Sequence, residues 1–190
     1  MTSVAAIDHA DLILLLLGAP TIDPEQRDRC AGVTRLEKLI YVLDSESEFR
    51  QLAREPTEDL NFRPFHYGPY SEKIYDAVEL LVAIGLVQER RTPTASGLDM
   101  AEELRGLEDL DVGAILGPDP DEPYVERSFE LSEKGRYVAR ILLERVGPDA
   151  VAQVSAIKDA YGAMPLRQLL RRVYRDHPQM TTRSRIKDSL

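Results

Sequence analysis

The stretch SEKIYDAVELLVAIGLVQERR, residues 71–91, changes its period halfway along. Ile74, Ala77, Val78 and Leu81 recur at helical spacing and make one apolar stripe. Ser71 stands before the stripe as a candidate N-cap, and Gly85 follows it as a helix stop. Beyond Gly85 the pattern is that of a strand, GLVQERR, and YVERSFELS at 124–132 matches its antiparallel return. A helix feeding a two-stranded hairpin is the second half of a winged helix, so the upstream elements decide the fold.

Upstream, residues 8–17 predict a short buried helix entered from an Asp8 cap and stopped by Gly18 and Pro20. TIDPEQRDRC follows as a polar loop. Gly32 and Thr34 open a second helix, with Leu36, Leu39, Ile40 and Leu43 on one face. Residues 45–61 are polar, with a possible short helix around 48–54, and NFRPFHYGPYS (61–71) is a compact aromatic stretch. Three helices before the hairpin complete the winged-helix plan.

Downstream, residues 93–123 form an insert between the strands, with a helix expected around 98–107 and a loop at GPDPDEP. Ser132 is expected to cap a helix through Arg145, with Tyr137, Val138, Ile141 and Leu142 on one face. Gly147 and Pro148 break it, and a further helix is expected over 149–160. A last helix starts at Pro165, carries Leu166, Leu169, Leu170 and Val173 as its stripe, and is limited by Pro178. The expected fold is mainly α with a small β-hairpin. A winged-helix-like domain over 1–146 carries the acidic insert, and a helical extension over 147–190 packs on it.

The chain has 190 residues, 43% of them hydrophobic and 30% charged, which excludes a disordered tail, a collagen-like fibre and a polytopic membrane protein. LILLLL at 12–17 is too short to span a bilayer, and Asp8 and Asp11 stand where a secretory signal carries basic residues. The lone Cys30 excludes an intrachain disulfide and a cysteine zinc cluster, which fits a reducing cytoplasm.

RLEKLIY (35–41) followed by FRPFHYGPYS (62–71) and an apolar helix resembles the SocA-like Panacea antitoxin domains and the related YwgA-like bacterial proteins. The ending LLRRVYRDHPQMTTRSRIKDSL (169–190) is similar to that of the second group. The resemblance covers roughly residues 32–90 and 130–186. It implies a small helical, non-enzymatic protein in a toxin–antitoxin or phage-associated setting, acting through protein contacts. The insert at 93–123 departs from the compact antitoxin pattern.

In HYGPYS, Gly68 permits a positive φ and Pro69 fixes the next residue, while Phe62, Phe65, Tyr67 and Tyr70 flank the turn. Two readings stand: a structural corner, or a partner-binding pocket made by His66, Tyr67 and Tyr70 with Tyr75, Asp76 and Glu79. Catalysis finds no foothold. His9, His66 and His177 are scattered, and no H-E-x-x-H, G-x-S-x-G, Walker A or G-x-G-x-x-G motif occurs. Arg27 and Arg29 can lower the pKa of Cys30, yet spacing offers no base for it. Asp119, Asp121 and Glu122 lack the EF-hand spacing. No enzyme, metal or cofactor is expected.

The net charge of −9 is unevenly spread. The third helix exposes Glu72, Lys73, Tyr75, Asp76 and Glu79, a poor match to a polyanion, with Arg90 and Arg91 as local compensation at the wing base. Residues 98–126 hold ten acids and one base. Residues 165–190 hold seven bases and two acids, a local +5 that leaves −14 on the rest. Arg167, Arg171 and Arg175 line one helix face, with Arg183 and Arg185 beyond. Those arginines either solubilise a helix end or bind an acidic partner, a second copy or phosphate. The expectation is therefore a regulatory or interaction protein with a protein partner or itself. The alternative is a DNA-binding regulator using Arg90, Arg91 and the C-terminal arginines.

Overall fold

Helix α1 spans His9–Gly18 in the computed structural model, which describes residues 6–65, 68–93 and 125–184. Its N-terminus is closed by a capping box: Asp11 N–H donates to Asp8 Oδ1 (2.8 Å), and Asp8 N–H is answered by the Asp11 carboxylate. The side chains of residues 12–17 are all buried, so α1 is the central rod around which the other elements pack.

The chain then makes a short strand β1 (Arg29–Ala31), helix α2 (Val33–Glu46) and one turn of helix, α3 (Phe49–Leu52). Strands β2 (Arg63–Phe65) and β3 (Gly68–Tyr70) precede α4 (Glu72–Ala83). Strands β4 (Val87–Pro93) and β5 (Val125–Leu131) form the wing, in register from Val87 opposite Leu131 to Pro93 opposite Val125. The expected insert, its helix at 98–107 and its acidic loop lie outside the described residues.

Two features of the sheets correct the sequence expectations. The segment ending in Cys30 is not all loop, because β1 pairs with β5 and sets Cys30 opposite Phe129. The sheet order β1-β5-β4, with α1, α2 and α4 around it, is the winged-helix plan. The aromatic stretch is a second hairpin, β2 against β3, in which Pro64 faces Pro69 and Phe65 faces Gly68. Each of these strands is only three residues long, and prolines in the hairpin hide the usual strand signal.

The apolar stripe of α4 is buried as its spacing predicts: Ile74, Ala77, Val78 and Leu81. Gly85 takes φ +74 after it. Ser71 precedes α4 but makes no side-chain cap, since its hydroxyl donates to Leu60 O (2.6 Å). Ser132 does cap the next helix, α5 (Glu133–Val146), accepting from Gly135 N–H (3.0 Å).

The buried face of α5 is only partly the expected one: Leu142 is buried and Val138 packs against the core as the spacing predicts. Tyr137 and Ile141 are 59% and 39% exposed, while Gly135, Ala139, Leu142 and Val146 are buried. Small residues let the helix approach closely. A Cβ on Gly135 would lie 2.0 Å from Leu86 O, and one on Gly18 would lie 2.7 Å from Ala139 Cβ. A hydrophobicity pattern gives such residues little weight, although they decide which face can come nearest.

Helices α6 (Pro148–Tyr161) and α7 (Leu166–Asp176) follow, then a 3-10 turn at Pro178–Thr181. Both helices pack on α2, and Val154, Leu166, Leu169, Leu170 and Val173 join one continuous core with Leu36 and Ile40. Two buried cations bind helix ends. Lys158 Nζ donates to Leu17 O (2.5 Å) and Ala19 O (3.1 Å) at the end of α1. Arg35 Nη1 donates to Gly162 O (3.1 Å) and Met164 O after α6. Last-turn carbonyls lack intrahelical donors, so each cation meets a standing demand.

Candidate functional site

The hairpin β2–β3 is locked to α2 by a buried polar cluster. Glu37 and Lys38 are 1% and 2% exposed. Lys38 Nζ donates to Glu37 Oε2 (2.6 Å) and Pro69 O (2.6 Å), and Ser71 N–H donates to Glu37 Oε1 (2.8 Å). Burial pushes the Glu37 carboxyl above its ordinary pKa, against the pull of Lys38 and the Ser71 amide. Two of the four residues of GPYS, Pro69 and Ser71, together with EK of RLEKLIY, thus form one construction.

On its outer side the hairpin carries a row of half-buried rings. Phe65 and Tyr70 stack at 4.8 Å between centroids, and Tyr70 and Tyr75 at 5.4 Å. Offset pairs of this kind add specific attraction to plain burial. Arg63 lies over the Tyr70 ring at 5.5 Å and reaches Glu72 at 4.0 Å. Burial raises the Tyr75 hydroxyl pKa well above normal, and nearby Glu37 adds to it; Thr34 is its hydrogen-bond partner. Inward, Phe62 meets Tyr41 edge-on at 5.0 Å.

Sequence reasoning named Tyr70, Tyr75, Asp76 and Glu79 as partner-binding residues, and the fold brings all four onto α4 and the strand before it. Tyr70 and Tyr75 belong to the ring row, and Glu72, Asp76 and Glu79 are exposed beside it. His66 and Tyr67 lie outside the described residues, as does Arg185. Arg63 and the Glu37–Lys38 pair were missed as contributors, while Phe65 was placed beside the turn but not in the pocket. The available signal for the charged pair was its place between apolar positions Leu36, Leu39 and Ile40.

The wing bases are tied to acids. Arg90 pairs with Glu130 (3.0 Å) and Arg91 with Glu89 (3.2 Å). Arg127, unmentioned by the sequence reading, bridges Glu89 and Glu79 (3.0 Å to Glu79). Burial alone would raise Glu89, yet Arg127 and Arg91 outweigh it and hold the carboxyl below its ordinary pKa. The acidic face of α4 is thereby continuous with a charge-balanced wing. On α7, Arg167 is half-buried while Arg171, Arg175 and, further on, Arg183 are exposed; Arg175 pairs with Asp176 (2.8 Å).

Cys30 corrects another expectation. It is buried, and desolvation pushes its thiol up to about 11, outweighing Arg35 and Lys158. His9 lies 3.6 Å from Glu58, and burial lowers its pKa. His177 Nε2 lies 2.7 Å from Glu46 Oε1, at the far end of α2. Among the described residues no group of three or more His, Cys, Asp or Glu could hold a metal ion, and no helix is long and apolar enough to cross a membrane. A crevice lined by Leu12, Ile40, Leu43, Phe49 and Leu60 has no room for a water molecule. No protein-family model matches the chain, and no curated protein or solved structure is significantly similar to it, so the antitoxin-like resemblance stands on the sequence motifs themselves.

Proposed function

We propose that this is a non-enzymatic regulatory protein of winged-helix plan that binds a protein partner through α4 and the β2–β3 hairpin, in the toxin–antitoxin or phage-associated setting its motifs imply. One observation carries the reading. The helix that enters the DNA groove in winged helices presents three acids, Glu72, Asp76 and Glu79, against one lysine, Lys73, beside a row of rings, and the adjoining wing arginines are engaged by acids. Such a face repels phosphate, while a row of Tyr and Phe with a charged rim suits a protein. The tagged chain and its Glu72→Lys/Asp76→Lys variant, expressed in the native host, provide the test. A protein retained by the first and lost by the second is expected, with mass spectrometry identifying it; equal recovery on both refutes the assignment of this face.

The second reading, duplex DNA bound by the C-terminal arginines with Arg90 and Arg91, is favoured by the exposed Arg171 and Arg175 on α7. Its test is a titration against duplex DNA at stepped salt, because phosphate contacts give a steep dependence. Absence of binding at about 50 mM salt removes it.

A further inference from the structure

The first turn of α1 holds a buried imidazole in a place that offers little to a second ring proton. His9 is 6% exposed, and its Nε2 is buried without a hydrogen-bond partner. Nδ1 stands 3.6 Å from Glu58 Oε2, beyond hydrogen-bond reach, and the Glu58 side chain is half-exposed. The charged groups that bear on the ring come from three elements: Asp8 at the α1 cap, Glu58 from the segment 56–60, and Lys73 from the first turn of α4. The ring also sits at the positive end of α1, where the first amides of a helix disfavour a cation. Burial and Lys73 outweigh Glu58, Asp8 and the Leu60 backbone, so the imidazole is held below its ordinary pKa of 6.5.

Residues 56–60 form a strap beside this ring, and the strap leads to the candidate face. Ile7 N–H donates to Pro56 O (2.8 Å) and Glu58 N–H to Ile7 O (2.9 Å), a parallel bridge between Ile7 and Thr57. Arg50, itself paired with Asp44 of α2, donates to Thr57 Oγ1 (2.8 Å) and Glu58 O (3.1 Å). Leu60 is buried and accepts the Ser71 hydroxyl, and Ser71 in turn donates its N–H to Glu37. His9, the strap, the start of α4 and the Glu37–Lys38 cluster are thus one connected series.

We propose that His9 is a proton-operated joint: when the ring takes up a proton, the strap 56–60 loosens from α1 and releases its hold on Ser71 and the first turn of α4. A buried imidazolium has two N–H donors to satisfy, and the site offers one distant carboxylate. Relief comes from moving the ring toward Glu58 and solvent, which displaces the strap. Above pH 6.5 the ring is neutral in the folded and the unfolded chain. Below it the unfolded chain binds a proton that the folded joint resists, so the hold is lost as pH falls. The device does not depend on which partner the face takes.

The experiment is NMR on the full chain between about pH 7.5 and 5, following the assigned His9 ring and amide hydrogen exchange. The ring is expected to titrate below 6.5, with Lys73→Met raising its pKa and Glu58→Gln lowering it further. Corrected for intrinsic exchange rates, the Ile7, Glu58 and Ser71 amides are expected to lose about tenfold more protection on acidification in the wild type than in His9→Gln. The Leu169 amide in the α7 core is expected to keep its protection. Glu37 and Asp11, whose pKa values are raised, are present in both proteins, so the difference belongs to His9. A ring that titrates at or above 6.5 overturns the proposal, as does a pKa that neither Lys73→Met nor Glu58→Gln moves. Equal losses in wild type and His9→Gln overturn it too, and a loss shared by Leu169 overturns it in favour of global unfolding. The wild type alone also decides: loss of Glu58 amide protection shares the ring's midpoint, and a separate midpoint overturns the joint even where His9→Gln does not fold.

Discussion

Replacing Lys38 by Met probes the construction that holds the hairpin. Methionine keeps most of the apolar volume, so the change removes the cation and its hydrogen bonds without opening a large cavity. Left behind are a fully buried Glu37 carboxylate with only the Ser71 amide to answer it, and a Pro69 carbonyl without its donor. Breaking a buried ion pair by removing one partner costs about 3–5 kcal/mol, a large fraction of the roughly 5–15 kcal/mol that a domain possesses. For a chain of this size that is a fall in Tm of about 6–20 °C. The deficit shrinks as pH falls. Glu37 already has a raised folded pKa, removal of Lys38 raises it further, and a group with a raised folded pKa stabilises the fold at pH below that value and loses the effect above it. The assay is urea denaturation followed by circular dichroism at pH 5 and pH 8. The double variant Glu37→Gln/Lys38→Met keeps an acceptor for Ser71 and buries no charge, so it is expected to recover at least half the loss. A single variant within about 1 kcal/mol of wild type refutes the reasoning, as does a double variant no better than the single.

Three further perturbations test other parts of the construction. Lys158, whose pKa burial lowers to about 8, contributes stability that is gained as pH rises from about 8 to its unfolded value of 10.5 and is absent below that window. The change is on the order of 3 kcal/mol; Lys158→Met is expected to lack this rise, so the stability difference between wild type and variant changes across the window, and parallel profiles contradict it. Gly68→Ala strains a residue at φ +86 and drives its Cβ into Tyr174, so a loss of about 1–3 kcal/mol is expected by thermal melting, and a neutral result counts against the hairpin–α7 contact. The Cys30 thiol is expected to resist a thiol reagent at pH 8 until urea unfolds the chain; rapid modification of the native protein contradicts its burial in β1.

The long elements were legible because their stripes repeat often enough to be read. Leu36, Leu39, Ile40 and Leu43 in α2, and Leu166, Leu169, Leu170 and Val173 in α7, are all buried where spacing put them. Turn chemistry was equally readable at Gly85 and at the Ser132 cap. Strands β1, β2 and β3 were not, since three residues carry too little alternation and their reason for existing is a partner far along the chain: Cys30 is a strand residue because Phe129 stands beside it. Burial of Gly135 and Ala139 in place of Tyr137 and Ile141 was likewise invisible, because close helix approach rewards small size, which a hydrophobicity pattern ignores.

For the candidate site the division is similar. The sequence alone determined the charge asymmetry, the acidic third helix, the basic C-terminus and the aromatic turn, all of which are matters of composition and short-range spacing. Only the tertiary structure decided that Glu37 and Lys38 turn inward to hold GPYS, that the wing arginines are already bound, and that rings, Glu72 and Arg63 meet around one hairpin. Those are relations between residues distant in the chain. Geometry settles them through which carbonyls and carboxylates need a donor, and no local pattern encodes that demand.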